Sequence, residues 1–248
     1  MTLPGQWLLP DWPAPAHVRA FVTTRQGGTS QGEHGTMNLG MRCGDDPGRV
    51  ERNRLLLREH LPEMPRWLTQ VHGAAVADLD AAGARDGAIA DAAVVAMPGR
   101  VAAVLTADCL PLFLCDAAGR RVGVAHAGWR GLAAGVLENA VAALRSPPGD
   151  VLAWMGPAIG PQAFEVGPEV REAFLAVDAR AAQAFRPHGE GKFLADLYAL
   201  ARQRLGRAGV ARVSGGGHCT FTQGDRFFSY RRVRQSGRMA AVIWIEPA

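Results

Sequence analysis

The sequence predicts an α+β fold with mixed sheet pairing. Short apolar runs typical of strands cluster along the chain, instead of alternating strictly with helical segments. No GxGxxG motif follows a predicted strand, so the pattern does not support a regular dinucleotide-binding fold. No internal repeat and no long linker interrupts the 248 residues, so we expect a single domain over residues 1–248.

The N-terminal half predicts mostly strands. An irregular lead-in at residues 10–15 precedes a strand at 17–24 and a glycine-rich loop at 25–32. A helix is predicted over residues 47–60, because Asp45 or Asp46 can cap it and Pro47 suits its first turn. Further strands are predicted near residues 66–72, 74–79, 92–96, 101–106, 111–116 and 121–126.

The C-terminal half predicts more helix. A long amphipathic helix is predicted from Gly131, because apolar side chains at 132, 136, 137, 141 and 144 share one face. Other helices are predicted over residues 168–177, 179–185 and 194–206. Strands are predicted at residues 151–155, 211–214, 226–231 and 239–245.

Composition narrows the function classes. The net charge is +4, and Lys192 is the only lysine, so the chain has no P-loop motif. No apolar run reaches the ~20 residues that span a bilayer, and no long basic run predicts nucleic-acid binding. The four cysteines form no CxxC pair, and the N-terminus does not resemble a secretory signal. We therefore expect free thiols, a cytoplasmic location and a small-molecule partner; the sequence does not predict the oligomeric state.

Three residues stand out as candidate metal ligands. His72, Cys109 and His126 each follow an apolar, strand-like run. Two imidazoles and a thiolate suit zinc, and three protein ligands with an open position are typical of a catalytic zinc site. Any one of the three, taken alone, is more often structural. A fourth ligand from Cys43, His218 or Cys219 would instead indicate a structural zinc.

Several ordered motifs resemble the YfiH-type family, also named laccase-domain or polyphenol oxidase family and, more recently, purine nucleoside phosphorylase. The matching runs are TTRQGG at 23–28, TQVHG at 69–73, ADCLP at 107–111, HAGWRG at 126–131, GPAIGP at 156–161, FEVG at 164–167, CT at 219–220 and FFSYRR at 227–232. These motifs cover nearly the whole chain.

The resemblance implies a layered α/β/β/α sandwich with mixed sheets, related to cysteine-hydrolase-like toxin domains. It also implies a zinc site at His72, Cys109 and His126. The implied activity is cytoplasmic phosphorolysis of adenosine, inosine and methylthioadenosine, with adenosine deamination as a second activity. One branch of the family is linked instead to an amidase that edits mis-loaded peptidoglycan precursors.

The chemistry of the implied site suggests further residues. Arg25 and Arg130 are candidates for binding phosphate, since guanidinium binds phosphate with two hydrogen bonds. Asn38 is a candidate for binding ribose or shaping a turn. Asp108 is a candidate acid, base or orienting group, although its side chain and that of Cys109 should point to opposite sides of a strand end.

Three alternative chemistries involve the same residues. Cys109 could act as a nucleophile with a histidine base, but zinc ligation would compete for its lone pairs. The chain lacks the H-x-E…P-C-x-x-C signature of zinc deaminases, so deamination would need a different geometry. It also lacks the H-x-H pairs of a multicopper oxidase, so polyphenol oxidation would reflect copper bound at the same site.

Overall fold

The computed structural model describes Pro4 and residues 6–247. Most of the N-terminal segment inspected for a signal (residues 1–3 and 5) lies outside the described residues, as does residue 248. None of the helices in the described range is long and apolar enough to cross a membrane.

The strands, in chain order, are β1 (Val18–Val22), β2 (Val76–Asp78), β3 (Ala92–Val95), β4 (Ala102–Thr106), β5 (Leu110–Asp116), β6 (Val122–Ala127), β7 (Val151–Met155), β8 (Glu165–Val166), β9 (Phe185–His188), β10 (Lys192–Ala195), β11 (Arg212–Gly215) and β12 (Met239–Ile245). The α-helices are α1 (Pro47–Arg58), α2 (Trp129–Ala134), α3 (Val136–Ala143), α4 (Pro168–Leu175) and α5 (Leu197–Arg207). Short 3-10 helices cover Gly32–His34, Pro148–Asp150 and Ala179–Ala184.

One mixed sheet and one antiparallel sheet form the centre of the fold. The larger has the order β11-β7-β5-β6-β3-β2, with parallel pairs at both edges and antiparallel pairs between them. The second is antiparallel, with the order β1-β12-β4. A small antiparallel sheet, β8-β10-β9, completes the strand pairing.

The alternating side chains of β5 show how the layers pack. Leu110, Leu112 and Leu114 face one core, which they share with the apolar residues of α2, α3 and α5. Phe113 and Cys115 face the opposite core, which they share with the β1-β12-β4 sheet. Both faces of β5 are buried, because a strand places successive side chains on opposite sides.

The outer face of the β1-β12-β4 sheet packs against α1. Phe21 of β1 and Val242 of β12 form a third core with Leu57 of α1. Asp46 caps this helix by accepting a hydrogen bond from the amide of Arg49, as the sequence predicted for this region. The order of layers is therefore helix, sheet, sheet, helix, and the predicted α+β sandwich with mixed sheets is confirmed.

Some predicted elements were wrong. The helix predicted from Gly131 is two helices, because Gly135 adopts a left-handed conformation (φ 96°) that ends the first one. Residues 66–72 form only isolated bridges, at Arg66 and Thr69. Residues 226–231 form turns: the amide of Phe227 donates to the carbonyl of Gln223, not to a neighbouring strand.

Three other boundaries differ from the prediction. The helix predicted over residues 194–206 starts at Leu197, because Lys192–Ala195 pairs as β10. Residues 179–184 form a 3-10 helix, not an α-helix. The short strands β8 and β9 were not predicted; β8 has only two residues, too few to show an alternating pattern.

Candidate active site

His72, Cys109 and His126 come together at the end of the large sheet. Their ligand atoms all lie within 4.8 Å of one another, and His72 Nε2 lies 3.8 Å from Cys109 Sγ. His72 sits in a turn before β2, Cys109 lies between β4 and β5, and His126 is near the end of β6. The pairing of β5 with β6, which sets Pro111 opposite His126, brings the cysteine and this histidine together.

Asp91 holds the two histidines in place, and sequence reasoning missed it. Its carboxylate is fully buried and accepts hydrogen bonds from the amides of Val71 (3.1 Å), His72 (3.0 Å) and Gly73 (2.7 Å). It also accepts a 2.9 Å hydrogen bond from His126 Nδ1. Its only signal in the sequence is a single acid in the otherwise apolar run at residues 88–96.

Two residues at the site have an uncommon backbone conformation. His72 (φ 59°) and Asp108 (φ 88°) lie in the left-handed region, which residues other than glycine rarely adopt. Arg145 is the only other non-glycine residue of the described range with a positive φ. Strain of this kind persists where the surroundings hold it and is common at functional sites.

The neighbouring glycines leave room for the three candidate ligands. A Cβ atom on Gly128 would lie 2.8 Å from Cys109 Sγ and 2.9 Å from His72 Cδ2. A Cβ atom on Gly131 would lie 2.6 Å from the carbonyl oxygen of Gly73. Both distances are shorter than real Cβ contacts, so these two glycines let the start of α2 pass close to the site.

The donor set is chemically suited to a metal ion. It offers two imidazole nitrogens and one sulfur, which are ligands of zinc and copper. Asp91 bonds to His126 Nδ1 and leaves Nε2 free of this hydrogen bond, the arrangement commonly found at metal-bound histidines. The residues therefore fit a metal centre, with His72 exposed, Cys109 half-buried and His126 buried.

Charge coupling favours the thiolate at this site. Burial alone would raise the pKa of Cys109. The neighbouring His126 and His72 outweigh burial, and the net effect lowers this pKa to about 6. Burial alone would lower the pKa of His126. Its neighbours Cys109 and Asp91 outweigh burial and raise this pKa to about 9. Both shifts favour a negatively charged sulfur, which is the form that binds metals.

A cavity of about 780 Å³ opens beside the three residues. Five arginines line its wall, and none of them makes a salt bridge to a carboxylate within the described range. They are Arg42, Arg54, Arg130, Arg231 and Arg238. Only two acids, Asp86 and Asp108, line the same wall. The five arginines outnumber them, so the wall is strongly cationic. Of these arginines, the sequence predicted only Arg130 as a binding residue.

Aromatic rings support four of the five cavity arginines. Arg54 stacks on Trp67 and Arg130 on Trp129, each with its guanidinium 4.4 Å from the ring centroid. The corresponding distances are 5.1 Å for Arg231 over Phe164 and 5.8 Å for Arg238 over Tyr230. Stacking leaves the edge of a guanidinium free to donate hydrogen bonds. The only sequence signal for Arg231 is its place in the FFSYRR run at residues 227–232.

Asp108 lines the cavity, but its carboxylate binds protein groups. It accepts hydrogen bonds from the hydroxyl of Thr220 (2.6 Å) and the amide of Arg231 (2.7 Å). Its carbonyl oxygen accepts a hydrogen bond from the amide of Ile159. Asp108 therefore ties two loops to the end of β4, next to Cys109.

Arg25 and Asn38 lie outside the residues that line the cavity. The guanidinium of Arg25 donates to the carbonyl oxygens of Gly35 (3.0 Å) and Gly224 (2.8 Å), which joins two loops. The buried Asn38 donates to Asp45 and accepts from the amide of Arg238. Asn38 Oδ1 also accepts from the amide of Gly40, so the side chain holds this turn and connects it to a cavity arginine.

None of the three residues considered as a fourth ligand joins the cluster in the described part of the chain. Cys219 Sγ accepts a hydrogen bond from the amide of Gly160, and His218 Nδ1 lies 3.3 Å from Gln223 Oε1. Cys43 lines the cavity wall, but it is not part of the cluster. The geometry thus favours three protein ligands and an open position.

Comparison with known proteins places the chain in a family. Residues 19–246 match the family model described as multi-copper polyphenol oxidoreductase laccase. The chain is 54% identical to a purine nucleoside phosphorylase of Pseudomonas aeruginosa over 241 residues, covering 97% of this chain and 98% of the relative. It is 53% identical to the purine nucleoside phosphorylase YfiH of Escherichia coli over 243 residues, covering 96% and 98%.

Solved structures share the fold over the full length. A crystal structure of a Neisseria meningitidis protein superposes with a TM-score of 0.93 at 49% identity, covering 98% of this chain and all of the other. YlmD of Geobacillus stearothermophilus superposes with a TM-score of 0.88 at 31% identity, covering 100% and 98%.

Proposed function

The chain belongs to the multi-copper polyphenol oxidoreductase laccase family, whose curated relatives include purine nucleoside phosphorylases, and on this basis we propose that it is a zinc-dependent purine nucleoside phosphorylase. Its substrates would be adenosine, inosine and methylthioadenosine, together with inorganic phosphate. Adenosine deamination would be a second activity of the same site. Four free cysteines support a cytoplasmic location, where thiols stay reduced.

One observation carries the proposal: the same cavity wall holds the His72, Cys109 and His126 cluster and five arginines that have no carboxylate partner among the described residues. A cation that is not neutralised by the protein is available to an anionic substrate. Phosphate is the anion that a nucleoside phosphorylase must bind, and guanidinium groups bind it with two parallel hydrogen bonds. A nucleoside hydrolase would not need this charge.

Arg130 and Arg42 are the best candidates for direct phosphate contact. Both are exposed at the cavity wall, and neither donates a side-chain hydrogen bond to a described residue. Arg54 and Arg231, by contrast, donate to the carbonyl oxygens of Leu39 and Glu165. These two are held in place by the main chain and supply a fixed positive field behind the phosphate.

The proposed reaction needs the phosphate oxygen and the nucleoside to be aligned. The oxygen forms a bond to ribose C1′ as the bond from C1′ to the purine nitrogen breaks, and the bonding pair leaves with the purine. The phosphate loses one proton in this step and the released purine gains one, so the reaction balances. The arginines neutralise and orient the phosphate, while the partly exposed ring of Trp129 adds apolar surface to the cavity wall for the substrate rings.

Zinc suits the site because Cys109 as thiolate and Asp91 as carboxylate together match the charge of a divalent ion. Bound there, zinc would supply Lewis acidity and lower the pKa of a water molecule for deamination. His72, Cys109 and His126 would hold it. Asp108, whose carboxylate already binds Thr220 and Arg231, would position the loops around the cavity, without taking part in proton transfer.

The proposal is tested by product analysis with zinc-loaded protein. Inosine plus phosphate should yield hypoxanthine and ribose 1-phosphate, and omission of phosphate should abolish hypoxanthine release. Arg130→Gln should raise the phosphate KM. Arg120→Gln is the matched control, because Arg120 is a highly exposed arginine outside the cavity wall. Zinc-loaded protein that releases no hypoxanthine in the presence of phosphate would refute the proposal.

A second candidate is the amidase that edits cell-wall precursors. The volume of about 780 Å³ and the surplus of arginines favour a substrate larger and more anionic than a nucleoside. This activity predicts amide hydrolysis of a nucleotide-linked sugar peptide without added phosphate. The same chromatographic assay therefore separates the two functions through their dependence on phosphate.

A further inference from the structure

We propose that Asp91 is a positioning residue that shapes the metal centre by holding the His72 turn and selecting the nitrogen with which His126 binds the metal. This inference rests on the metal centre of the proposed function. Neither the family match nor the names of the relatives assigns a role to this residue.

The first part of the argument concerns the turn that carries His72. Three consecutive amides, those of Val71, His72 and Gly73, donate to the Asp91 carboxylate at 2.7–3.1 Å. His72 has a positive φ of 59°, which a residue with a side chain adopts only when its surroundings hold it there. The carboxylate supplies that hold, because three charge-assisted hydrogen bonds converge on it.

The second part concerns His126. Its main-chain amide donates to the carbonyl oxygen of Asp91 (2.7 Å), and its Nδ1 donates to Asp91 Oδ1 (2.9 Å). Both the backbone and the ring are therefore attached to the same residue. With Nδ1 protonated and engaged, Nε2 is the ring nitrogen with a free lone pair for a metal.

No uncharged side chain of similar size can replace this carboxylate. Oδ1 accepts from His72 N and His126 Nδ1, and Oδ2 accepts from Val71 N and Gly73 N. All four acceptor positions are thus filled by donors. An asparagine would point its NH2 group at one of these donor pairs, because only one of its two terminal atoms is an acceptor. If the NH2 group faced His126, the ring could bond to it only in the tautomer that protonates Nε2.

The test compares Asp91→Asn with Asp116→Asn. Asp116 is also a buried aspartate at a strand end, where it accepts hydrogen bonds from the amides of Arg120 and Arg121, but it lies away from the cavity. Zinc affinity is measured by competition with a chromophoric chelator, and folding is followed by circular dichroism and Tm. We expect Asp91→Asn to bind zinc about 10- to 100-fold more weakly. Asp116→Asn should lose stability but keep the zinc affinity of the wild type.

A measurement on the wild type covers the case in which Asp91→Asn does not fold. Long-range ¹H–¹⁵N spectra of the zinc-loaded protein report which nitrogen of each histidine carries the proton. We expect His126 to carry it on Nδ1. A proton on Nε2 of His126 would overturn the inference, and so would an Asp91→Asn variant with wild-type zinc affinity.

The outcomes separate this inference from the proposed function. A wild type that binds zinc but does not release purine bases refutes the phosphorylase and leaves the role of Asp91 intact. An active Asp91→Asn variant with the zinc affinity of the wild type refutes the role of Asp91 and leaves the phosphorylase intact.

Discussion

Gly128→Ala offers the sharpest test of the candidate metal centre. The new Cβ would lie 2.8 Å from Cys109 Sγ and 2.9 Å from His72 Cδ2, whereas ordinary van der Waals contact begins at 3.4 Å. The two side chains must therefore move by about 0.5–0.6 Å, while metal–ligand distances tolerate only about 0.2 Å. The backbone itself does not oppose the change, because Gly128 has a φ of −66° that alanine adopts readily.

The expected effect falls on metal binding more than on folding. His72 is exposed, so its ring can swing away from the new methyl group in the metal-free protein. Metal binding brings the ring back and restores the overlap, which costs about 1–3 kcal/mol by analogy with overpacked cores. Zinc affinity should therefore fall about 10- to 100-fold, while the Tm of the metal-free protein changes little.

The assay is chelator competition with the wild type, Gly128→Ala and a control glycine. Gly206 is a suitable control, because it is exposed within α5 and its Cβ would meet nothing within 4 Å. Gly206→Ala should bind zinc normally and gain about 0.5–1 kcal/mol of stability. If Gly128→Ala binds zinc as tightly as the wild type, the three residues do not form the metal centre in this arrangement.

Three other substitutions test individual side-chain contacts of the structure. Arg25→Gln should lower the Tm without changing the phosphate KM, whereas Arg130→Gln should raise the phosphate KM about tenfold at unchanged Tm; steady-state kinetics and thermal denaturation decide. Tyr198→Phe should lower the free energy of unfolding in urea by about 1–3 kcal/mol, because the hydroxyl binds the amide of Ala158 and the carbonyls of Gly156 and His218. Burial alone would raise the pKa of Asp45. Hydrogen bonds from Ser30 and Asn38 outweigh burial, so the pKa lies below the ordinary 3.8 of an aspartate. The stability that this shift contributes is present above pH 3.8 and is lost as the pH falls through the depressed pKa of Asp45. The unfolding free energy of Asp45→Asn, measured in urea between about pH 5 and 2, should therefore depend less on pH than that of the wild type.

Local sequence signals predicted the elements that pack by regular periodicity. The strand at residues 111–116 is predicted by its apolar run, which ends only at Asp116, and it is buried on both faces. The helix at residues 47–60 was recognised from its cap and its proline. The failures have local causes: Gly135 divides a continuous apolar face, and Phe227 and Phe228 are buried in turns that resemble a strand in composition.

The candidate site was predictable only as far as residue chemistry is visible in the sequence. His72, Cys109 and His126 are recognisable as ligand types, but the supporting carboxylate is not, because an aspartate in an apolar run carries no sign of its four donors. The cavity arginines are spread over residues 42–238, and their convergence depends on tertiary structure. For the same reason, Arg25 was selected from its glycine-rich loop, although its guanidinium bonds to two carbonyls outside the cavity wall.

The positions of the three candidate ligands also bear on the order of folding. His72 and Cys109 are 37 residues apart, and Cys109 and His126 meet only after β5 has paired with β6. A metal ion bound to one ligand meets all three only after the β5-β6 hairpin has formed and the turn at His72, 37 residues before Cys109, has closed on it, because loop closure must come first. The metal-free chain should therefore fold to the same sheet, and a metal ion would bind to the folded protein, in contrast to small zinc domains that are unfolded without metal. The protein could then be stripped and reloaded without passing through the unfolded state, so that metal exchange would be a property of its native ensemble.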